Sequence, residues 1–428
     1  MIGRRRCWWP AGNGSRAVAC VVAWLVVGVV GGCAGRQSLV GVDGLVEVAG
    51  PGSWFEPSVA VDRAKPSVIA VAAMEAPRPV GHVHLFMSGD GGRTWQDRGR
   101  VFVSLDAAPV TASGDVTVAF DDQALLVTGL LLVDGRNAVA VARSTDQGRT
   151  FAVTVVDHSQ APTRTSGPRP PADRLDKPWM TVSTDERRVT VVWAHQRGGV
   201  WELHARSSTD GGRSFSDTIV VDAGGTQPQF GVAVPGPSTT PEQVVWTSDG
   251  AQIMTMIPSA SARSLSDKAS VAGSLNPVVV DGRAGRDACW VTASGAEPSV
   301  FCAVIAANGA GSRVARGEGL PSVVSDGATS VLVTVKPGAH DIQINARWRT
   351  GGSWSRPSEL AKWATPQQVC IASCEPDGGV PGSGDGVPEI GDYHGIDWFT
   401  GRQFVLVTVQ PAPDGQRHLW LINAHRPN

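Results

Sequence analysis

From about residue 54 to the C-terminus, apolar positions come in runs of four to eight residues rich in Val, Thr, Ile and Trp. Ser58–Asp62, Val116–Phe120, Arg188–Trp193, Val278–Asp281 and Arg402–Val409 are examples. Gly, Pro, Asp and Ser separate these runs, and no stretch sustains the 3.6-residue period of an amphipathic helix. The pattern predicts short strands joined by turns, an all-β chain. A second pattern marks where each unit begins. A residue that is usually polar, often followed by proline, precedes an apolar strand at Glu56-Pro57, Asp115-Val116, Lys177-Pro178, Gln227-Pro228, Asn276-Pro277, Leu320-Pro321 and Asp392-Tyr393. These seven starts recur at about 55 residues apiece, the spacing of a repeat architecture.

A sharper repeat lies between them. Ser88-Gly-Asp90-Gly-Gly92-Arg-Thr94-Trp95 recurs as Ser144-Thr-Asp146-Gln-Gly148-Arg-Thr150-Phe151 and as Ser208-Thr-Asp210-Gly-Gly212-Arg-Ser214-Phe215. An Asp carboxylate can accept hydrogen bonds from the amides of its own turn, glycine supplies a backbone conformation other residues resist, and the aromatic ring folds beneath. Gly351-Gly352-Ser353-Trp354 reads as a remnant that has lost its Asp. The motif resembles the Asp-box of sialidases and many other β-propellers. That resemblance implies a structural role at the turn joining the two outer strands of a blade, on the face opposite an active site. Asp176-Lys-Pro-Trp179, Gly391-Asp392-Tyr393 and Glu56–Asp62 are similar to blade starts of uncharacterised Asp-box proteins, so the likeness covers most of residues 54–426. The expected fold is a β-propeller of four-stranded antiparallel blades, seven by the count of starts, or six if one unit is an elaborated loop.

Composition agrees with this picture: 51 Gly and 29 Pro among 428 residues are too many for a helical bundle. The N-terminus reads as an address. Arg4-Arg5-Arg6 supplies a positive start, and the apolar run Ala17–Gly32 has the length of a signal-peptide core rather than of a spanning helix. Val30-Gly31-Gly32-Cys33 resembles a lipobox, with the Cys33 thiol as acyl acceptor, and Arg5-Arg6 loosely resembles a twin-arginine signal. The expected organisation is a leader over 1–32, a lipidated Cys33 with a tether and closing strand to residue 50, and the propeller over 51–428. The chain is then exported and held by lipid on the outer side of a bacterial membrane. The formal net charge is −2, and the leader takes four arginines with it, so no basic stretch is left to bind nucleic acid. Cys289, Cys302, Cys370 and Cys374 leave an even number of thiols to pair. Cys289 and Cys302 lie in runs that flank a turn, and Cys370 and Cys374 would close a small loop. Two structural disulfides are expected, and no cofactor. No zinc site is read from this spacing. Glu375, Asp377, Asp385 and Glu389 offer oxygens for a structural calcium without matching a known calcium loop.

In a propeller, side chains at the starts of the innermost strands converge on the channel mouth. Glu56, Asp115, Asp176, Lys177, Gln227, Asn276, Asp392 and Tyr393 fall there, with Arg174 and His394 beside them. The resemblance to sialidases implies a Tyr nucleophile, an acidic partner and three arginines clamping a carboxylate. Tyr393 is the only tyrosine in the chain, and Trp54-Phe55-Glu56-Pro57 stands where the first arginine motif belongs. The leading expectation is therefore a propeller without catalytic activity. It would bind a glycan or an envelope protein through Glu56, Arg174, Lys177, Gln227, Asn276 and His394. The alternative is an exo-acting glycoside hydrolase related to sialidases, using Tyr393, Asp392, Asp115 or Asp176.

Overall fold

The computed structural model describes residues 41–75, 81–160, 173–183, 187–223, 228–234, 240–248, 252–256, 262–265, 274–282, 285–292, 298–305, 311–365, 394–412 and 416–425. These residues build seven antiparallel sheets, the blades of a β-propeller. The innermost strands of blades 1–7 are Trp54–Val61, Ala108–Phe120, Asp173–Val182, Gln229–Val234, Ser274–Gly282, Gly319–Ser325 and Gly395–Thr400. Each touches the innermost strand of the next blade, so the seven form a ring. Six blades are made from consecutive strands. Blade 2 carries an extra two-residue strand, Ser104–Leu105. Blade 7 joins the two ends of the chain: Gly395–Thr400, Gln403–Pro411 and Arg417–His425 are completed by the early strand Gly41–Gly52, which pairs with Arg417–His425. That pairing closes the ring through main-chain hydrogen bonds and covers an edge that would otherwise be open.

A four-stranded blade cannot bury both of its faces by itself, and the core shows how that is solved. Among the described residues there are seven apolar clusters, and each bridges two neighbouring blades. Leu85 and Met87 of blade 1 meet Val118 and Leu125 of blade 2, for example, and Trp348 of blade 6 meets Phe404 of blade 7. Hydroxyls and one carboxylate stitch the inner strands across the same seams. Val118 N donates to Ser58 Oγ at 3.1 Å, Met180 N to Thr117 Oγ1 at 3.1 Å, and Thr181 Oγ1 to Ala233 O at 2.7 Å. Ser322 Oγ donates to His394 O at 2.9 Å, and Val61 N to Asp397 Oδ2 at 2.8 Å across the closing seam.

The three boxed turns share one hydrogen-bond set. In the first, Asp90 Oδ1 accepts from Arg93 N at 3.0 Å and Thr94 N at 2.9 Å, Oδ2 accepts from Thr94 Oγ1 at 2.7 Å, and Gly92 N donates to Ser88 Oγ at 2.8 Å. Asp146 and Asp210 repeat the pattern with Ser144, Gly148 and Thr150, and with Ser208, Gly212 and Ser214. Trp95, Phe151 and Phe215 pack against the clusters beneath. Each turn joins the third and fourth strands of its blade, far from the channel mouth in the blade's chain path. In blade 5, Cys289 and Cys302 are register partners joined by a disulfide of 2.05 Å. Cys33, Cys370, Cys374 and the acidic set Glu375, Asp377, Asp385 and Glu389 lie outside the described residues.

Candidate functional site

Every inner strand from blade 1 to blade 6 breaks its register with the second strand at the same place. The shifts fall between Phe55 and Ser58, Gly114 and Thr117, Asp176 and Trp179, Gln229 and Val232, Leu275 and Val278, and Gly319 and Ser322. A bulge of this kind turns a side chain away from the pleat. In five of the six, the bulged residue has a left-handed backbone although it is not glycine: Glu56, Asp115 and Lys177 at φ 48°, Phe230 at 51° and Leu320 at 47°. Repetition of one costly conformation identifies the position the ring uses to present side chains at its mouth.

Three neighbouring positions line up. Lys177 Nζ lies 3.2 Å from Asp115 Oδ1 of blade 2 and 5.1 Å over the Phe230 ring of blade 4. One residue before Lys177, Asp176 accepts from Lys177 N at 3.1 Å and pairs with Arg174 Nη2 at 3.0 Å. The Arg174 guanidinium in turn lies 5.9 Å from the Trp201 ring. Asp176 is buried, and the loss of solvent, reinforced by the negative charge of Asp115, pushes its carboxyl above the usual carboxylate range. Arg174, with a side chain 46% exposed, reaches from this buried carboxyl to solvent. The arrangement holds two carboxylates, one carrying its proton more firmly than an ordinary Asp, beside two cations and two aromatic faces. Such a pair can divide the roles of acid and base in bond cleavage.

Of the residues expected at the mouth, Asp115, Asp176, Arg174 and Lys177 therefore form one group. Glu56 occupies the matching bulge of blade 1 and is buried. His394 immediately precedes the inner strand of blade 7, with both ring nitrogens buried and without a hydrogen bond among the described residues; burial pushes it down to about 4. Its imidazole is thus neutral at pH 7. Asn276 lies on the inner strand of blade 5 at the register shift. Gln227, Asp392 and Tyr393 lie outside the described residues, and in blade 4 the bulge position belongs to Phe230, three residues after Gln227. Sequence reasoning missed Phe230 because no proline follows it.

Next to the bulges lies the channel. It is lined by Ser58, Thr117, Val232, Val278, Ser322 and Gly395 among others, with a cavity volume of about 170 Å³. That is less than the roughly 300 Å³ at which ordinary ligand pockets begin.

No family model matches the sequence. No curated protein matches it either. Solved structures do. The GH93 α-L-arabinofuranosidase of Fusarium graminearum, solved with arabinobiose, aligns over 90% of this chain and 98% of its own, with a TM-score of 0.50 and 12% identity. An α-L-arabinanase of Penicillium chrysogenum aligns over 68% and 93%, with a TM-score of 0.47 and 13% identity. A protein of unknown function from Dyadobacter fermentans aligns over 91% and 100%, with a TM-score of 0.48 and 13% identity. At these identities the likeness is one of fold. The leading expectation from sequence, a propeller that presents a surface without catalysis, is corrected here. The Fusarium graminearum chain, which shares the fold, is a glycoside hydrolase by name, and that finding stands against a propeller without catalysis.

Proposed function

We propose that this chain is a glycoside hydrolase whose reaction centre lies at the channel mouth between blades 2 and 3. The carrying observation is the unequal carboxylate pair. Asp176, buried and raised, is suited to protonate the leaving glycosidic oxygen, and Asp115, ion-paired with Lys177, is suited to act as base or nucleophile. Trp201 and Phe230 offer flat apolar faces to a sugar ring, and Arg174 offers donors to its hydroxyls. The arabinobiose bound to the Fusarium graminearum enzyme puts α-L-arabinofuranosides first among candidate substrates. The resemblance of the boxed turns to Asp-boxes keeps sialosides on the same panel. The purified chain should hydrolyse at least one member of a panel of fluorogenic glycosides, and Asp176→Asn and Asp115→Asn should each lower kcat by about 10²–10⁴-fold. Silence across the panel and across arabinan, or activity undiminished in both variants, would overturn the assignment.

The second part of the proposal concerns place. The leader and Cys33 support an exported chain tethered by lipid to the outer side of a bacterial membrane, where a glycan is the expected partner.

A further inference from the structure

On the seam between the outer strand of blade 2 and the second and third strands of blade 3, two histidines and an aspartate converge. Val189–Arg197 and Val200–Ser208 form a hairpin whose turn, Gly198-Gly199, has positive φ at both residues, 56° and 87°. That turn fixes the register: His195 faces Glu202 and Trp193 faces His204, so both imidazoles share one face of the hairpin. The third member, Asp157, comes from Ala152–His158 of blade 2. One donor atom from each of the three lies within 4.8 Å of the others. His195 is 0% exposed and His204 3%.

Their hydrogen bonds leave the wrong atoms free for a purely protonic network. His195 Nε2 lies 2.8 Å from Asp173 Oδ1, and His204 Nε2 lies 2.8 Å from Glu202 Oε2. Each carboxylate calls for a proton on the nitrogen facing it. In a neutral ring the other nitrogen, Nδ1, is then a bare lone pair. His204 Nδ1 is buried with no hydrogen-bond partner. His195 Nδ1 lies 3.1 Å from Asp157 Oδ2 without hydrogen-bond geometry. Asp157 is itself held from behind: Trp193 Nε1 donates to its Oδ2 at 3.0 Å and His158 N to its Oδ1 at 2.9 Å. Arg197 Nε donates to His195 Nε2 at 3.2 Å, so that nitrogen faces a donor as well as the Asp173 carboxylate, and three carboxylates and one guanidinium surround the two rings. A buried nitrogen without a partner, such as His204 Nδ1, is costly unless a donor or a cation meets it. Imidazoles whose outer nitrogens donate to carboxylates are how proteins orient histidines as metal ligands.

We propose that Asp157, His195 and His204 bind a divalent transition metal ion of the zinc class, with Asp173 and Glu202 orienting the two imidazoles. Two nitrogens and one carboxylate oxygen suit Zn²⁺ and leave a fourth position for water. Around a tetrahedral zinc with bonds of about 2.0–2.1 Å, donor atoms stand about 3.3 Å apart. The 3.1 Å between His195 Nδ1 and Asp157 Oδ2 is already close to that separation. The ion would clamp the outer edge of blade 2 to the hairpin of blade 3, on the seam that also carries the Asp115–Lys177 pair.

The test is zinc binding by the chelator-stripped full chain, read by competition with a chromogenic chelator and by the visible spectrum of the Co²⁺-substituted protein. One equivalent of Zn²⁺ per chain, displaceable by Co²⁺ with the absorption of a low-coordinate N/O site, is expected. His204→Gln and Asp157→Asn should weaken that equivalent at least about 100-fold. Glu202→Gln, which keeps all three ligands, should weaken it about 10–100-fold. Circular dichroism of each variant separates loss of the site from loss of the fold, and Glu202→Gln carries the test should either ligand variant fail to fold. Other histidines and the cysteines can hold zinc loosely, so the assignment rests on the difference between variants. No bound equivalent in the wild-type chain, or one that survives unchanged in folded His204→Gln and Glu202→Gln, would overturn the proposal.

Discussion

Blade 6 contains a buried charge pair whose removal should be felt through the whole ring. Arg347 grips Glu318 in parallel, Nη1 to Oε2 at 2.6 Å and Nη2 to Oε1 at 2.8 Å, with side chains only 5% and 6% exposed. Thr334 Oγ1 also donates to Glu318 Oε2, and Asn345 Nδ2 reaches Oε1 at 3.4 Å. Replacing Arg347 by Met leaves a carboxylate sealed from water with two neutral donors, and replacing Glu318 by Leu leaves a sealed guanidinium. Each change should cost about 3–5 kcal/mol, the usual consequence of stranding one half of a buried pair. Changing both removes the charges together. What remains is mainly the orphaned Thr334 hydroxyl and Asn345 amide, about 1–3 kcal/mol each at most. The double variant should therefore cost about 2–6 kcal/mol against about 6–10 kcal/mol for the two singles added, a coupling of about 4 kcal/mol at the midpoints. Urea unfolding followed by tryptophan fluorescence measures all four corners of the cycle, provided each chain refolds on dilution. Costs that add within about 0.5 kcal/mol would refute the reasoning, because they would mean the two charges do not depend on each other for their burial.

Two further expectations follow from the structure and one from the leader sequence. Asp90 is held down to about 2, chiefly by the hydroxyl and amide of Thr94, so its contribution to stability is fully present above the ordinary carboxylate value near 3.8 and is lost as pH falls toward 2. Asp90→Asn should then be less stable than wild type at pH 7, with a gap that closes between about pH 4 and 2; a gap constant over that range would contradict the carboxylate's role. In the hydrolysis assay, Asp176 must be protonated to act as acid, so kcat/KM should fall on the alkaline side of a pKa above the ordinary Asp value, and a flat alkaline limb would remove Asp176 from that role. Cys33→Ala should abolish lipid labelling and release the chain from the membrane fraction of a bacterial host, whereas unchanged fractionation would end the tether reading.

Much of the architecture is legible in the sequence because the physics that shapes each blade is local. Proline after the bulge at Glu56, Lys177, Asn276 and Leu320 marks the blade starts, and the Ser-x-Asp-x-Gly turns mark the outer hairpins with a self-contained hydrogen-bond set. In blade 4 the same rule points to Gln227-Pro228, and Gln227 lies outside the described residues. Pro228 stands two residues before the bulge, and the left-handed residue is Phe230, an aromatic that no turn rule would select. The group Asp115, Asp176, Arg174 and Lys177 could be named from alignment of the starts, since equivalent positions in a closed ring must converge. The His195–His204–Asp157 cluster could not be found that way. Its aspartate belongs to a different blade, and its histidines draw together only once Gly198-Gly199 fixes the hairpin register. That two-residue glycine turn was the available signal: it places His195 and His204 on one face before any coordinate is known.

The bulges explain why one ring can host this site and still fold. A left-handed backbone at a residue other than glycine costs on the order of 1 kcal/mol or more, and five such residues around the mouth represent a sum comparable with the whole stability of a typical domain. The conformation persists because it is over-determined from below. Two residues after Glu56 and Asp115, Ser58 Oγ and Thr117 Oγ1 each accept an amide from the next blade's inner strand, and Ser322 Oγ, two residues after Leu320, donates across its own seam. Moving a bulge would break the stitch beneath it as well as the register beside it. Glu56, Asp115 and Lys177 share this frame with Phe230 and Leu320, so the frame itself is indifferent to chemistry. Chemistry enters through which side chain each blade places on it, and blades 2 and 3 are where two opposite charges meet next to a second, buried carboxyl. Substitution at Asp115 or Lys177 should therefore change the site while leaving the ring intact, whereas substitution at Ser58 or Thr117 should disturb the ring first and the site as a consequence.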